Sequence, residues 1–140
     1  MKIAICGSIK FAEEMKAVKE QLEQLGHEAL LPHSAEVGDL KPYWAELRAK
    51  DLKEFTKVKG ERIKGHFGKI VSCDAILVLN YDKEGKPNYI GPNTFLEMGL
   101  AFHEGKQIFL LNPIMESDAN YEELLALQPT VLNGDLGKIA

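Results

Sequence analysis

No apolar run in this chain approaches the roughly 18 residues that a membrane-spanning helix needs. Met1 to Ile5, before Gly7, is also too short to form the core of a secretion signal. The expectation is a soluble, cytoplasmic protein with no membrane partner. Cysteine is scarce. Only Cys6 and Cys73 occur, each beside an apolar run that reads as a strand, which predicts two buried thiols and excludes a disulfide scaffold. The histidines at 27, 33, 66 and 103 form no His-x-x-x-His pair and have no Cys-x-x-Cys companion, so local spacing predicts no metal site. There is no excess of positive charge either. With 17 basic against 21 acidic residues the net charge is −4, which argues against a nucleic-acid partner.

The charges are unevenly placed. Between Lys41 and Lys69 nine basic residues face four acidic ones, so the rest of the chain is strongly acidic. Two readings of that segment stand: a lysine-studded helix face in water, or a surface turned toward an anionic ligand. The length of 140 residues and an apolar fraction of 45% suit one domain with a real core, covering residues 1–140.

Strand and helix patterns alternate along the whole length. Lys2 to Cys6 is a short β-branched, apolar run ending at Gly7-Ser8, and Phe11, Met15, Val18, Leu22 and Leu25 then make a helical stripe stopped by Gly26. His27 to Leu31 reads as a second strand closed by Pro32, followed by a loop to Pro42. From Tyr43 to Ser72 the pattern is helical but interrupted, and glycines 60, 65 and 68 suggest two helices or one with a loose middle. Asp74 to Asn80 is a continuous apolar run of the kind buried on both faces of a parallel sheet. A polar loop, Tyr81 to Pro92, leaves its carboxyl end. Further strands are expected over Lys106 to Leu111 and Thr130 to Leu132, with a helix over Asn120 to Leu127 between them. The pattern predicts an α/β fold: a single-domain, doubly wound, flavodoxin- or Rossmann-like sheet of five mainly parallel strands with helices on both faces.

Two stretches carry the candidate chemistry. Gly7-Ser8-Ile9-Lys10, between the first strand and the first helix, offers backbone N–H groups, a hydroxyl and a lysine to a phosphate. It is neither a Walker loop nor a complete Gly-x-Gly-x-x-Gly, so the signal taken alone is weak, and the plain alternative is a turn capped by Ser8; no cofactor is expected. The second stretch is Ile90 to Met98, with a Gly91-Pro92 turn, the polar pair Asn93-Thr94, and Glu97 in the first turns of a helix. Thr94-x-x-Glu97 also fits a capping box, so Glu97 reads either as a cap or as a nucleophile near the positive end of a helix dipole.

Taken together, Gly7-Ser8-Ile9-Lys10, Asp74 opening a buried strand, and Asn93-Thr94-x-x-Glu97-Met98-Gly99-x-Ala101 followed by Gly105-Lys106 resemble the nucleoside 2-deoxyribosyltransferase superfamily. The Gly-Ser-Ile-basic turn is most similar to that of its 2′-deoxynucleoside 5′-phosphate N-hydrolases, which hold the 5′-phosphate there. The resemblance spans residues 2 to 135 in order and spacing. It implies that Glu97 attacks the anomeric carbon, expels the base and forms a covalent sugar intermediate, as in retaining glycosidases. Water then completes hydrolysis, or a second base completes transfer.

The sequence departs from that family's pattern at two positions. His66 stands where the family commonly has an aspartate that assists the leaving base, and it reads either as a proton donor or as a packing residue. Ala4 stands where the family often has a tyrosine, a role open to Tyr81 or Tyr89. Asp82 and Asn88, on the loop above the site, join Gly91, Asn93 and Thr94 as candidate substrate contacts, while Asp74 reads as structural. Trp44 and Tyr43 read as base-stacking or core residues. The resemblance further implies a homodimer or higher homo-oligomer with a shared site. Three functions follow: an N-glycosidase acting on a nucleoside 5′-monophosphate, a base-exchanging deoxyribosyltransferase, and a non-catalytic nucleotide-binding or sensing domain.

Overall fold

The computed structural model describes residues 1–38 and 41–139. Five strands, β1 (Lys2–Cys6), β2 (Glu28–Leu30), β3 (Ala75–Val78), β4 (Gln107–Leu110) and β5 (Thr130–Val131), form one sheet in the order β2-β1-β3-β4-β5. Every pairing is parallel. The fold is α/β and flavodoxin-like, with a sheet more uniform than the expected mainly parallel one. The helices are α1 (Ala12–Gln24), α2 (His33–Val37), α3 (Lys41–Lys50), α4 (Leu52–Val71), α5 (Pro92–His103) and α6 (Tyr121–Ala126). Among the described residues no helix is long and apolar enough to cross a membrane.

The two-residue period of the strands sorts the core into two layers. Ile3, Ile5, Leu77 and Phe109 pack with Met15, Val18 and Leu22 of α1 on one face. Ala4, Cys6, Ile76, Val78 and Leu110 pack with Ile70 of α4, Met98 and Ala101 of α5, and Leu124 of α6 on the other. Each fully buried Leu or Ile in these layers stabilises the fold by about 1.5–3 kcal/mol relative to exposure. The same alternation points Cys6 toward the face covered by α4 and α5.

Several local expectations are corrected. Leu25 ends the α1 stripe in sequence but is half exposed, because α1 stops at Gln24 and Leu25 is its C-terminal cap. The helical stretch after Tyr43 is indeed two helices, yet they part at Asp51, not at the glycines. Asp51 caps α4 by accepting from the Glu54 backbone N–H at 3.0 Å. Gly60, Gly65 and Gly68 lie inside α4 with open space where a Cβ would stand. The expected loop from Pro32 holds α2, and its residues 39 and 40 lie outside the described residues. Lys69 Nζ fixes this segment, donating to the Leu31 carbonyl and to Glu36 Oε1, both at 2.7 Å. That contact also holds the Glu36 carboxyl below its usual range.

Candidate active site

The strand order reverses direction between β1 and β3: β1 leads through α1 to β2 on one side, and β3 leads through α5 to β4 on the other. The connections after β1 and β3 therefore splay apart and leave a crevice at the carboxyl ends of the two strands. A cavity of about 280 Å³ occupies it. Its floor is Gly7, Ser8 and Ile9, and one wall is formed by Gly91 to Thr94 together with Glu97. Trp44, Lys59, Arg62, Ile63 and His66 of α3 and α4 form the opposite wall, with Pro32, His33 and Ser34 beside them. Two residues of the basic 41–69 segment, Lys59 and Arg62, thus line the cavity, together with Lys83; among the described residues Glu97 is the one carboxylate lining it.

Gly7 is required by close approach. Its φ is +157°, and a Cβ there would lie 3.2 Å from both the Leu79 carbonyl oxygen and Met15 Cε. Ser8 Oγ accepts from the Lys10 backbone N–H at 3.3 Å, capping the 3-10 turn Ile9–Phe11, so the expected cap is present. The same oxygen lies 3.0 Å from Lys83 Nζ. Lys83 in turn sits 4.9 Å from the centre of the Tyr89 ring. Gly91 lets that ring come close, since a Cβ would meet Tyr89 atoms at 3.1 Å.

Thr94 and Glu97 do not form a capping box. The N-terminal cap of α5 is Gly91, with Pro92 opening the helix, so Thr94 is in the third helical position and Glu97 lies in the second turn. The dipole of a helix end falls off within its first turn, and it does not keep this carboxyl ionised. Burial dominates. The Glu97 side chain is only 12% exposed, and desolvation pushes its pKa up to about 8, partly offset by the Cys6 thiol that hydrogen-bonds it. Burial, followed by the charge of Glu97, raises the Cys6 thiol well above its ordinary value.

His66 is fully enclosed. Its Nε2 lies 3.0 Å from the Ile5 carbonyl oxygen, 3.6 Å from Cys6 Sγ and 3.6 Å from Glu97 Oε2. A carbonyl can only accept, so the ring proton sits on Nε2 and is donated to Ile5, and buried Nδ1 has no partner among the described residues. Burial lowers the pKa to about 4, so the imidazole is neutral at pH 7 and its contact with Glu97 is not ionic. A neutral ring whose proton is already committed to a carbonyl is poorly suited to protonating a leaving base, which favours the packing reading of His66 over the donor reading.

The structure thus brings Gly7, Ser8, Ile9, His66, Gly91, Asn93, Thr94 and Glu97 to one cavity. Lys10, Asp82 and Asn88 line a separate, open hollow with Tyr81, Phe11 and Asn112. Asp82 Oδ1 accepts from the Asn88 backbone N–H at 3.0 Å, closing the loop on itself, and Asn88 Nδ2 donates to the Pro113 carbonyl at 3.0 Å, stapling the loop to the segment after β4. Asp74 is structural, accepting from the Lys2 N–H at 2.7 Å at the opposite end of the sheet. Of the two loop tyrosines, Tyr89 lines the cavity, whereas Tyr81 packs edge-on against Phe11. Trp44 reaches the cavity and Tyr43 packs against it with ring centres 5.1 Å apart.

Sequence reasoning overlooked Lys83 and Arg62 as cavity-lining groups, and Cys6 as the buried neighbour of His66 and Glu97. The basic segment was a pointer to Arg62; Lys83 sits in a loop with no motif, and Cys6 was legible only as a buried strand residue. Cys6, His66 and Glu97 each offer a ligand atom, and these atoms lie within 4.8 Å of one another, so this trio is a cluster able to hold a cation.

No family model matches the sequence, and no characterised protein matches it in sequence comparison. Solved structures do share its fold. It is similar to the 2-deoxyribosyltransferase of the psychrotolerant bacterium Bacillus psychrosaccharolyticus, with a TM-score of 0.57, 17% identity, and coverage of 84% of this chain and 77% of that one. It is also similar to the CMP N-glycosidase BcmB of Clostridium botulinum, with a TM-score of 0.51, 16% identity, and coverage of 94% and 84% respectively. At these identities the likeness establishes the shared fold.

Proposed function

We propose that this protein is an N-glycosidase that removes the base from a nucleoside 5′-monophosphate, with Glu97 as nucleophile. The observation that carries the reading is the pairing, in one cavity, of the buried Glu97 carboxylate with the Gly7–Ile9 turn, beside which Lys83 sets a cation 3.0 Å from Ser8 Oγ. The fold neighbours, a 2-deoxyribosyltransferase and a CMP N-glycosidase, favour the same chemistry. In the first step Glu97 Oε bonds to the anomeric carbon while the carbon–nitrogen bond breaks. The bond pair leaves with the base, which takes a proton from water at the cavity mouth. Water then hydrolyses the glycosyl ester and restores Glu97.

His66 acts here as a positioning residue. Its neutral ring packs 3.6 Å from Glu97 Oε2 and, with Cys6, limits where the carboxylate can point. Trp44 offers a face on which the base stacks. A homo-oligomer with a shared site remains part of this reading, and light scattering reads that state.

The test is release of free base from a panel of nucleoside 5′-monophosphates, followed by chromatography. Wild type releases base and Glu97→Gln does not; equal inertness of both across the panel sinks the assignment. Base exchange on adding a second free base, with unphosphorylated nucleosides preferred, would instead mark a transferase. Saturable binding with no turnover would mark a sensing domain.

A further inference from the structure

The trio of Cys6, His66 and Glu97 is assembled from β1, α4 and α5, elements that converge only at the crevice. Two of its three edges have the spacing of a coordination polyhedron. Zinc–ligand bonds of about 2.3 Å to sulfur and about 2.0–2.1 Å to nitrogen or oxygen, at tetrahedral angles, put ligand atoms about 3.3–3.6 Å apart. Cys6 Sγ and His66 Nε2 are 3.6 Å apart, and His66 Nε2 and Glu97 Oε2 are also 3.6 Å apart. The third edge closes within 4.8 Å. His66 and Glu97 also line the cavity, so a cation could reach them from it, whereas Cys6 lies buried behind them.

We propose that Cys6, His66 and Glu97 form a binding site for a thiophilic divalent cation of the zinc type, whose occupation withdraws the Glu97 carboxylate from any other chemistry. Sulfur, imidazole and one carboxylate suit zinc, cobalt or cadmium, and not the all-oxygen preference of magnesium or calcium. Binding replaces the thiol proton with a metal–sulfur bond and displaces the carboxyl proton where one is present, both released to solvent. The His66 ring proton moves from Nε2 to Nδ1, freeing Nε2 to coordinate, and the Ile5 carbonyl gives up its donor.

That last exchange limits the affinity. Nε2 must give up its 3.0 Å contact with the Ile5 carbonyl before it can coordinate, a cost set against the metal bonds formed. A cation held by His66 and Glu97, which line the cavity, acts as a competitor for it. The binding itself does not depend on the glycosidase reading; only the inhibition rests on it.

The experiment uses the full chain freed of metal by chelation and dialysis, titrated with Co²⁺. A stoichiometric complex is expected, with a thiolate-to-cobalt charge-transfer band and the intense visible bands of four-coordinate cobalt. Cys6→Ala abolishes the charge-transfer band, Cys73→Ala retains it, and Glu97→Gln weakens binding at least about tenfold. Absence of the band in wild type, its survival in Cys6→Ala, or its loss in Cys73→Ala alone would overturn the site. Where base release is measurable, added Zn²⁺ suppresses it and chelator restores it. A protein that binds cobalt as described but releases no base keeps the metal site and loses the glycosidase assignment.

Discussion

Replacing Glu97 by glutamine tests the electrostatics of the site without any substrate. The carboxyl pKa rises from its ordinary 4.5 to about 8 in the folded chain, chiefly because burial penalises the charged form. A raised acid means that the folded state keeps a proton that the unfolded state has already lost. Stability from this group is therefore intact below about pH 4.5 and falls as pH rises through about 8. At 1.36 kcal/mol per pKa unit the full loss is on the order of 5 kcal/mol, of which about 4 kcal/mol accrues between pH 5 and pH 9. Glutamine carries no such proton. The stability of Glu97→Gln minus that of wild type should thus grow by about 4 kcal/mol across that interval, most of it below pH 8. His66, whose pKa is lowered to about 4, destabilises both proteins alike as pH falls from 6.5 and cancels in the difference. Urea unfolding at fixed ionic strength, with chelator present, measures it. A difference that stays constant within about 1 kcal/mol from pH 5 to pH 9 refutes the burial argument.

The same pKa governs turnover: base release limited by ionised Glu97 should rise tenfold per pH unit below about 8 and level off above it, and a rate that falls over this range contradicts the nucleophile role. Lys83→Ala should lower kcat/KM for monophosphates at least about tenfold while sparing unphosphorylated nucleosides, whereas Lys10→Ala, on the other side of the turn, should change neither; the reverse order of the two variants would put the phosphate elsewhere. Gly7→Ala should cost about 1–3 kcal/mol in urea unfolding, because a Cβ would crowd the Leu79 carbonyl at 3.2 Å. An unchanged midpoint would mean that the turn relaxes freely.

The fold was largely legible because its signals are local. A run such as Ala75 to Val78 is apolar at every residue since both faces are covered, and α1 shows its stripe since one face is. Those periods, with Gly26 as a stop, follow from backbone geometry and need no knowledge of neighbours. Glu97 could be singled out for the same reason: it follows a loop at the carboxyl end of the apolar run. Its capping-box reading failed because Gly91-Pro92 starts the helix two residues before Thr94, and only the traced backbone distinguishes those starts.

What only the tertiary structure decided is which side chains share water, charge and distance across elements. Lys10 and Lys83 are both lysines near the turn in space, and the path of the 81–91 loop, closed by Asp82 and stapled by Asn88, sends Lys83 to Ser8. Cys6, His66 and Glu97 are separated by 60 and 31 positions in sequence. No local spacing links them, so the spacing of metal-binding motifs along the chain does not test a cluster assembled from three elements. Their pKa values are set by the depth at which β1, α4 and α5 enclose them, because desolvation depends on all the surrounding atoms and not on the chain neighbours of any one residue.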